Sequence, residues 1–381
     1  MTQTVIASIE SHFEELSDPR INRRKRHKLL DIVVIAICGI ICGAQDWVGI
    51  ATLGETKQDW FSSFLELPNG IPSHDTFGRV FRLLNFEEFE HCFFNWINTV
   101  FGKTEGQVIP IDGKQLRHSY STEDNKAAIH LVSAWASENG VTLGQVEVDG
   151  KSNEITAIPK LLEMLDISGC IITIDAMGCQ TEIAKSIVNA DGDYLLALKK
   201  NQGTLYEDVQ LLFDNLEQIE ITDDGLDRAE TIDKDHGRIE IRRAIVIYDT
   251  HCLCALRATE NFKGLKCIVQ VTAERHIGET KTIEHRYYIS SLTTKASHLL
   301  SVSRRHWSIE NSMHWVLDVV FNEDASRIRK GNGAHNFAIL RRIALNLLKH
   351  ERSLKVGIAN KRLVAASDND YLLNTLSALF F

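Results

Sequence analysis

The chain has 381 residues, 44% hydrophobic and 24% charged, an ordinary globular composition long enough for two or three units. A net charge of −9 excludes a uniformly basic nucleic-acid binder, although a local cluster can bind phosphate whatever the total. Eight cysteines without any CxxC spacing point away from a disulfide framework and a structural zinc site, and toward reduced core thiols. The N-terminus lacks the basic-then-apolar order of a secretory leader, so a cytoplasmic location and no membrane partner are expected.

The first basic cluster comes early: Arg20, Arg23, Arg24, Lys25, Arg26 and Lys28, with no acid among them. The apolar run Leu29–Gly43 follows. It contains Asp31 and two glycines and falls short of the ~20 residues of a membrane span, so it predicts a buried helix. Gly70-Ile71-Pro72 breaks the chain. Ser73 can cap a helix to about Leu84, and Asn85 with Glu88 is a capping-box signature for another to about Val100. Gly102 to Gln107 reads as a linker.

The pattern changes at Val108. Val108–Asp112 is a short apolar strand ending in a polar turn at Gly113-Lys114. Ala127–Ala136 and Val141–Val148 are strands joined by the hairpin signal Asn139-Gly140. Glu154–Leu165 has helical periodicity, Cys170–Ile174 is a buried strand ending at Asp175, Thr181–Val188 is helical and Tyr194–Leu198 is a strand. This order, three strands, helix, strand, helix, strand, predicts a mixed sheet with helices on its faces and equals that of the ribonuclease-H-like fold. An acid-rich stretch from Glu207 to Asp235 opens a β-rich insertion with strands at Arg238–Tyr248, Lys266–Ala273 and Thr280–Ser290. Cys252 and Cys254 alternate as strand residues would. A helical pattern resumes near Ser301.

The expected units are 1–104, an N-terminal helical domain; 105–201, the first part of the mixed-sheet core; 202–299, the β-rich insertion; and 300–381, a C-terminal helical part of the core.

Asp112 and Asp175 each end an apolar strand, Val-Ile-Pro-Ile-Asp-Gly-Lys and Ile-Ile-Thr-Ile-Asp-Ala-Met-Gly. In the predicted sheet these strands are neighbours, which brings two carboxylates to one rim. The plain alternative is that a strand-end Asp organises a turn. A third acid is Glu310, on a predicted helical face shared with Trp307 and His314 at i, i+3 and i+7. Carboxylates crowded together repel unless a cation joins them, and oxygen ligands suit Mg2+ or Mn2+. Two such ions can activate an attacking oxygen and stabilise a leaving one. His306, Glu310 and His314 could instead form a zinc stripe, although no cysteine or further histidine completes it. Asp318 is two turns from Glu310, about 12 Å by helical rise, too far to share one ion.

Ile111-Asp112-Gly113-Lys114, Thr173-Ile174-Asp175-Ala176-Met177-Gly178-Cys179-Gln180 and His306-Trp307-Ser308-Ile309-Glu310-Asn311 resemble the three signature segments of bacterial insertion-sequence transposases, in the H-repeat-associated branch. Gly70–Thr76, Lys151–Pro159 and Leu317–Asp324 extend the resemblance to nearly the whole chain, from about residue 10 to 375. It implies a ribonuclease-H-like core, a β insertion before the glutamate helix, and an N-terminal associated domain. It also implies metal-dependent cleavage at element ends and attack of a 3′ hydroxyl on target DNA, with Asp112, Asp175 and Glu310 holding two Mg2+ or Mn2+ ions. The partners implied are double-stranded DNA, as element ends and as target, and a second copy in a homodimer on DNA, in the bacterial cytoplasm at the nucleoid. A nuclease that cuts without joining, or a non-catalytic regulator descended from a transposase, are the other readings; intact carboxylates count against the last. Many relatives with a β insertion carry Tyr, Arg, Glu and Lys on the glutamate helix. Here those positions hold Ser303, His306, Glu310 and Leu317, so only the glutamate is kept. Expected DNA contacts are Arg23, Arg24, Lys25, Arg26, Lys114, Lys199, Arg304, Arg305, His306, Trp307, Asn311, Arg327 and Arg329.

Overall fold

A run of isoleucine and valine unbroken by more than one charge cannot face water, and it forms the buried helix α1 (Leu29–Ile41). The computed structural model describes residues 9–101, 106–120, 127–148, 153–235 and 237–378, with the backbone alone at Arg24, Val100, Phe101 and Asp223. The linker predicted over Gly102–Gln107 and the Lys151-Ser152 part of one signature segment thus fall mostly or wholly outside the described residues. The one acid in α1, Asp31, accepts from the Leu67 amide at 3.2 Å. Among the described residues, no helix is long and apolar enough to cross a membrane.

Helix α2 (Trp47–Thr56) starts on Asp46, whose carboxylate accepts from the Gly49 amide at 2.8 Å. After the Gly-Ile-Pro break come α3 (His74–Leu83) and α4 (Phe86–Phe101), close to the predicted spans. Asn85 caps α4 through the amides of Glu87 and Glu88, at 2.8 and 3.2 Å. The return half of the capping box is used differently: Glu88 accepts from the Ser17 amide and ties down the N-terminal segment.

The core strands are β1 (Val108–Gln115), β2 (His130–Ala136), β3 (Val141–Glu147), β4 (Ile171–Ile174) and β5 (Asp193–Leu198), with α5 (Glu154–Met164) before β4 and α6 (Thr181–Asn189) before β5. The first three pair antiparallel; β1, β4 and β5 run parallel. This is the ribonuclease-H-like arrangement expected from the element order. One expectation fails. Gly113-Lys114 is not a turn, because β1 continues along β2, with Asp112 opposite Ser133 and Gln115 opposite His130.

The insertion begins with α7 (Gly203–Asp214) and holds β6 (Leu226–Asp235), β7 (Arg238–Ile247), β8 (Cys267–Ile277) and β9 (Thr280–Ser290). Neither α7 nor β6 is legible in the acid-rich stretch that contains them. Cys252 and Cys254 lie on the short helix Thr250–Ala255, not on a strand, because Asp249 caps it through the Cys252 amide. β9 pairs antiparallel with β5, so the insertion extends the core sheet to nine strands in the order β3-β2-β1-β4-β5-β9-β8-β7-β6.

Helix α8 (Ala296–His306) lies on one face of this sheet, where Leu299 and Leu300 meet Val108, Ile171 and Leu195. The opposite face of the same strands, Ile109, Ile111, Ile172 and Leu196, belongs to the main core. After α8 come α9 (Trp315–Val319) and α10 (Gly333–His350), then α11 (Ile358–Ser367) and α12 (Asn369–Ser377). α10 is buried almost throughout and packs against α1, α3, α4 and β3, joining the N-terminal helices to the sheet.

Candidate functional site

Strand periodicity decides which way the first carboxylate faces. Val108 points to α8, so Asp112, four residues on, points to the same side. Residue 113 points to the other side, where a Cβ would lie 2.1 Å from Glu154 Oε1 and 2.7 Å from His130 Nε2 and would displace one or both side chains. Those two side chains pair at 2.9 Å beneath the strand. Gly113 therefore serves a close approach, not the turn predicted.

The chain leaving α8 delivers the partners of Asp112. Ile309, Met313 and Leu317 are fully buried and dock the segment on the core. Between them, Glu310–His314 forms one π turn, closed by the Trp315 amide on the Glu310 carbonyl. Such a widened turn recurs at functional sites because it re-aims side chains within a helix. Here it brings Glu310 and His314 over Asp112. His314 Nδ1 lies 3.4 Å from Asp112 Oδ2 and 3.7 Å from Glu310 Oε1. One ligand atom from each of the three residues lies within 4.8 Å of the others. Burial, then the charge of Glu310, push the Asp112 carboxyl up to about 8; contact with His314 holds Glu310 low. In the sequence His314 reads only as part of a stripe, and its i+4 spacing from Glu310 is the one signal of its place here.

Asp175 sits one residue beyond the rung Ile111↔Ile174, which carries it opposite Asp112 at the same sheet end. Its Oδ1 accepts from the amides of Met177 and Gly178, at 2.9 and 3.4 Å. It therefore organises the following turn, as the plain alternative holds, and it stands outside the three-residue cluster.

The expected DNA contacts divide. Lys114 is not available to DNA: it is buried and paired with Asp318, with Asp324 3.9 Å away. His306 turns inward, its Nδ1 3.1 Å from Thr173 Oγ1, and burial lowers its pKa. Arg304 meets Asp233 on β6 at 2.9 Å, while Arg305 pairs with Glu138 on the other side. Arg304, Trp307 and Asn311 line a cleft of about 580 Å³ against β7–β9. Trp307 is 44% exposed there, with the Arg286 guanidinium 4.6 Å over its ring. Lys199 is exposed just past β5. Arg23 and Arg26 are exposed, Lys25 lies 3.6 Å from Asp18, and the Arg24 side chain is outside the described residues. Arg327 and Arg329 do not pair with Glu323 and Asp324 as a purely structural account would have it. Glu323 is taken by Arg342 at 3.0 Å and Asp324 by Arg117 at 3.2 Å, while Arg329 donates to the His118 carbonyl at 2.8 Å.

Comparison with known proteins gives the family. A family model described as "DDE_Tnp_1-associated" matches residues 10–97, and one described as "Transposase DDE domain" matches residues 103–347. "H repeat-associated putative transposase YhhI" of Escherichia coli (strain K12) is 41% identical over 98% of both chains. "Putative transposase YncI" of Escherichia coli O157:H7 is 40% identical over 98% of this chain and 95% of its own length. A cryo-EM structure of the piggyBac transposase synaptic complex with hairpin DNA aligns with a TM-score of 0.41 and 12% identity, over 99% of this chain and 78% of that one. The chain belongs to the DDE transposase family, with the H-repeat-associated proteins among its relatives.

Proposed function

We propose that this chain cleaves DNA at the ends of an insertion element and joins the freed 3′ hydroxyl to target DNA. The observation that carries the reading is the convergence of Asp112, Glu310 and His314 at a sheet end that Asp175 shares. Two carboxylates and an imidazole nitrogen, with two like charges otherwise uncompensated, fit a divalent cation. Asp112, Glu310 and His314 would hold it and Asp175 would contribute from the next strand; Mg2+ or Mn2+, two ions in all, are the proposed cofactors. When bound, such ions activate the attacking oxygen and offset charge on the leaving one. The protein's own part is positional. β1 fixes Asp112, the π turn aims Glu310 and His314 at it, and the adjoining cleft with Trp307, Asn311 and Arg304 offers a surface for the DNA strand. Arg23, Arg24, Lys25 and Arg26 are proposed as phosphate contacts, with a homodimer on DNA, at the nucleoid in the cytoplasm, as the working assembly.

The test is nicking and joining of an end-containing duplex by Asp112→Asn, Asp175→Asn and Glu310→Gln. Each variant is expected to lose both steps and keep its duplex affinity and fold. Near-normal nicking by one variant would remove that residue from the site. Nicking without joining by the native chain would make it a nuclease, and binding without either a regulator. Activity is expected with Mg2+ or Mn2+, and Ca2+ should support binding with little turnover. Full activity in excess chelator would sink the metal assignment.

A further inference from the structure

A second charged cleft, of about 740 Å³, lies between α3 and the loop from α9 to α10. Its rim carries Arg79 and Arg82 from α3 and Arg327, Arg329 and Lys330 from the loop. It shares no residue with the carboxylate cluster. In a chain of net charge −9 such a concentration of cations is conspicuous. Its state of pairing sets it apart further. In the cleft beside β7–β9, Arg238 and Arg275 meet Glu240 at 3.4 and 3.0 Å, and Arg242 meets Asp233 at 2.8 Å. In the second cleft, among the described residues, none of Arg79, Arg82, Arg327 and Lys330 has a carboxylate at ion-pair distance. Two acids also line it, neither at ion-pair distance from these four cations. Asp46 is engaged in capping α2, and Asp75 stands 3.7 Å from His74.

The backbone segments that carry the cations are held together. Gly331 has φ +54°, and a Cβ there would lie 2.5 Å from the Arg82 carbonyl. The Asn332 amide donates to that carbonyl at 3.0 Å, and its side chain donates to the Leu84 carbonyl at 2.9 Å. Two segments some 250 residues apart in sequence are thereby fixed into one rim. The floor is apolar. Trp47 stacks on Phe81 at 5.0 Å, Gly78 leaves room for its indole, and Val48 beside it is 55% exposed.

A row of unpaired cations carried on two tied segments around an apolar floor matches a sugar-phosphate backbone, phosphates to the rim and deoxyriboses to the floor. We infer that this cleft is a duplex-DNA docking surface built jointly by the N-terminal helices and the segment after the glutamate helix. The inference rests on the DNA-acting reading above and adds a place where the duplex is gripped away from the reacting phosphate.

The test uses the full-length chain in chelator, with a fluorescent random-sequence DNA duplex titrated at several salt concentrations. The variant Arg79→Gln/Arg82→Gln/Arg327→Gln/Lys330→Gln is expected to bind on the order of tenfold or more weakly near 0.1 M salt, and its log–log salt slope should fall by about 0.9 for each phosphate that is no longer neutralised. Arg79→Lys, Arg82→Lys and Arg327→Lys together should keep most of the affinity and the slope, because backbone attraction needs charge more than fork geometry. Melting temperatures of both variants establish that they fold. An unchanged slope in a folded glutamine variant overturns the inference. So does equal weakening in the lysine variant, or a native chain that prefers polyglutamate or duplex RNA to duplex DNA. Nicking by the native chain is scored separately. A chain that binds through this cleft and never nicks refutes the catalytic reading alone; one that nicks with an unaltered slope in the variant refutes the cleft alone.

Discussion

Arg304 and Arg305 are adjacent in sequence and opposite in consequence. Arg304 faces the cleft with Trp307 and Asn311, reachable by a phosphate near Glu310 once Asp233 yields; Arg305 faces the β2–β3 turn and pairs with Glu138. Arginine's planar fork grips phosphate oxygens in pairs and lysine's point charge does not. Arg304→Lys should therefore reduce joining of pre-cut ends by more than about tenfold, and Arg305→Lys should leave it nearly unchanged. Joining at the normal rate by both variants would mean that neither clamps the reacting phosphate. Gly113 makes a second test at this scale. A methyl group there would meet the Glu154 and His130 side chains at 2.1 and 2.7 Å, so their ion pair must move aside or β1 must shift. Gly113→Ala is expected to destabilise the fold by about 1–3 kcal/mol, the usual range for overpacking, and to depress nicking by shifting Asp112. Thermal unfolding and the nicking rate measure the two effects, and a variant as stable and active as the native chain would refute the steric argument.

Elements are set against one another at the site by one ion pair. Lys114 lies two residues after Asp112 on the same face of β1, and it holds Asp318 on α9, which continues the π turn. Lys114→Met leaves Asp318 without its cation, while Asp324 keeps Arg117 at 3.2 Å. Asp318 is about one-third exposed, so the cost should be about 2 kcal/mol, below the 3–5 of a fully buried pair. Adding Asp318→Leu should recover part of that loss; a double-mutant cycle with no coupling would deny the tether. The elements also show how much of the molecule is legible in its sequence. Strands and helices from Val108 to Leu198 are legible because burial imposes a period on them; Asp112 and Asp175 stand out as acids that end apolar strands, and Glu310 as an acid on a face otherwise built from Trp and His. β6 is not legible, since Glu230, Asp233 and their neighbours line a solvated strand whose ion pairs lie across the sheet. The π turn is not legible either: a helical wheel assumes even spacing, and the widened turn appears only where Ile309 and Met313 dock. Lys114 reads wrongly as a DNA contact because its partner lies 204 residues away.

At the scale of the whole molecule, α10 is the joint. Asn346 exchanges two hydrogen bonds with Thr142 of β3, at 2.9 and 3.0 Å, and Asn336 donates to the Phe81 carbonyl of α3 at 2.6 Å. Glu90, on α4, lies at the same junction, buried between Gln145 of β3 and Arg342 of α10. Burial pushes its carboxyl up to about 8, and the nearby Arg342 charge only partly opposes this. In the unfolded chain a glutamate titrates near 4.3. Between those values the folded protein keeps a proton that the unfolded chain releases. Glu90's contribution is thus fully present below about pH 4.3 and is lost as pH rises toward about 8, at up to about 1.4 kcal/mol per pH unit. Glutamine has the shape of the protonated acid and cannot ionise, so Glu90→Gln escapes that loss. Melting temperatures of the two proteins should be close near pH 5, and the variant should melt progressively higher as pH rises to 8. A gap that is constant with pH, or one that favours the native chain at pH 8, would show that Glu90 is ionised in the folded state and held there by Arg342.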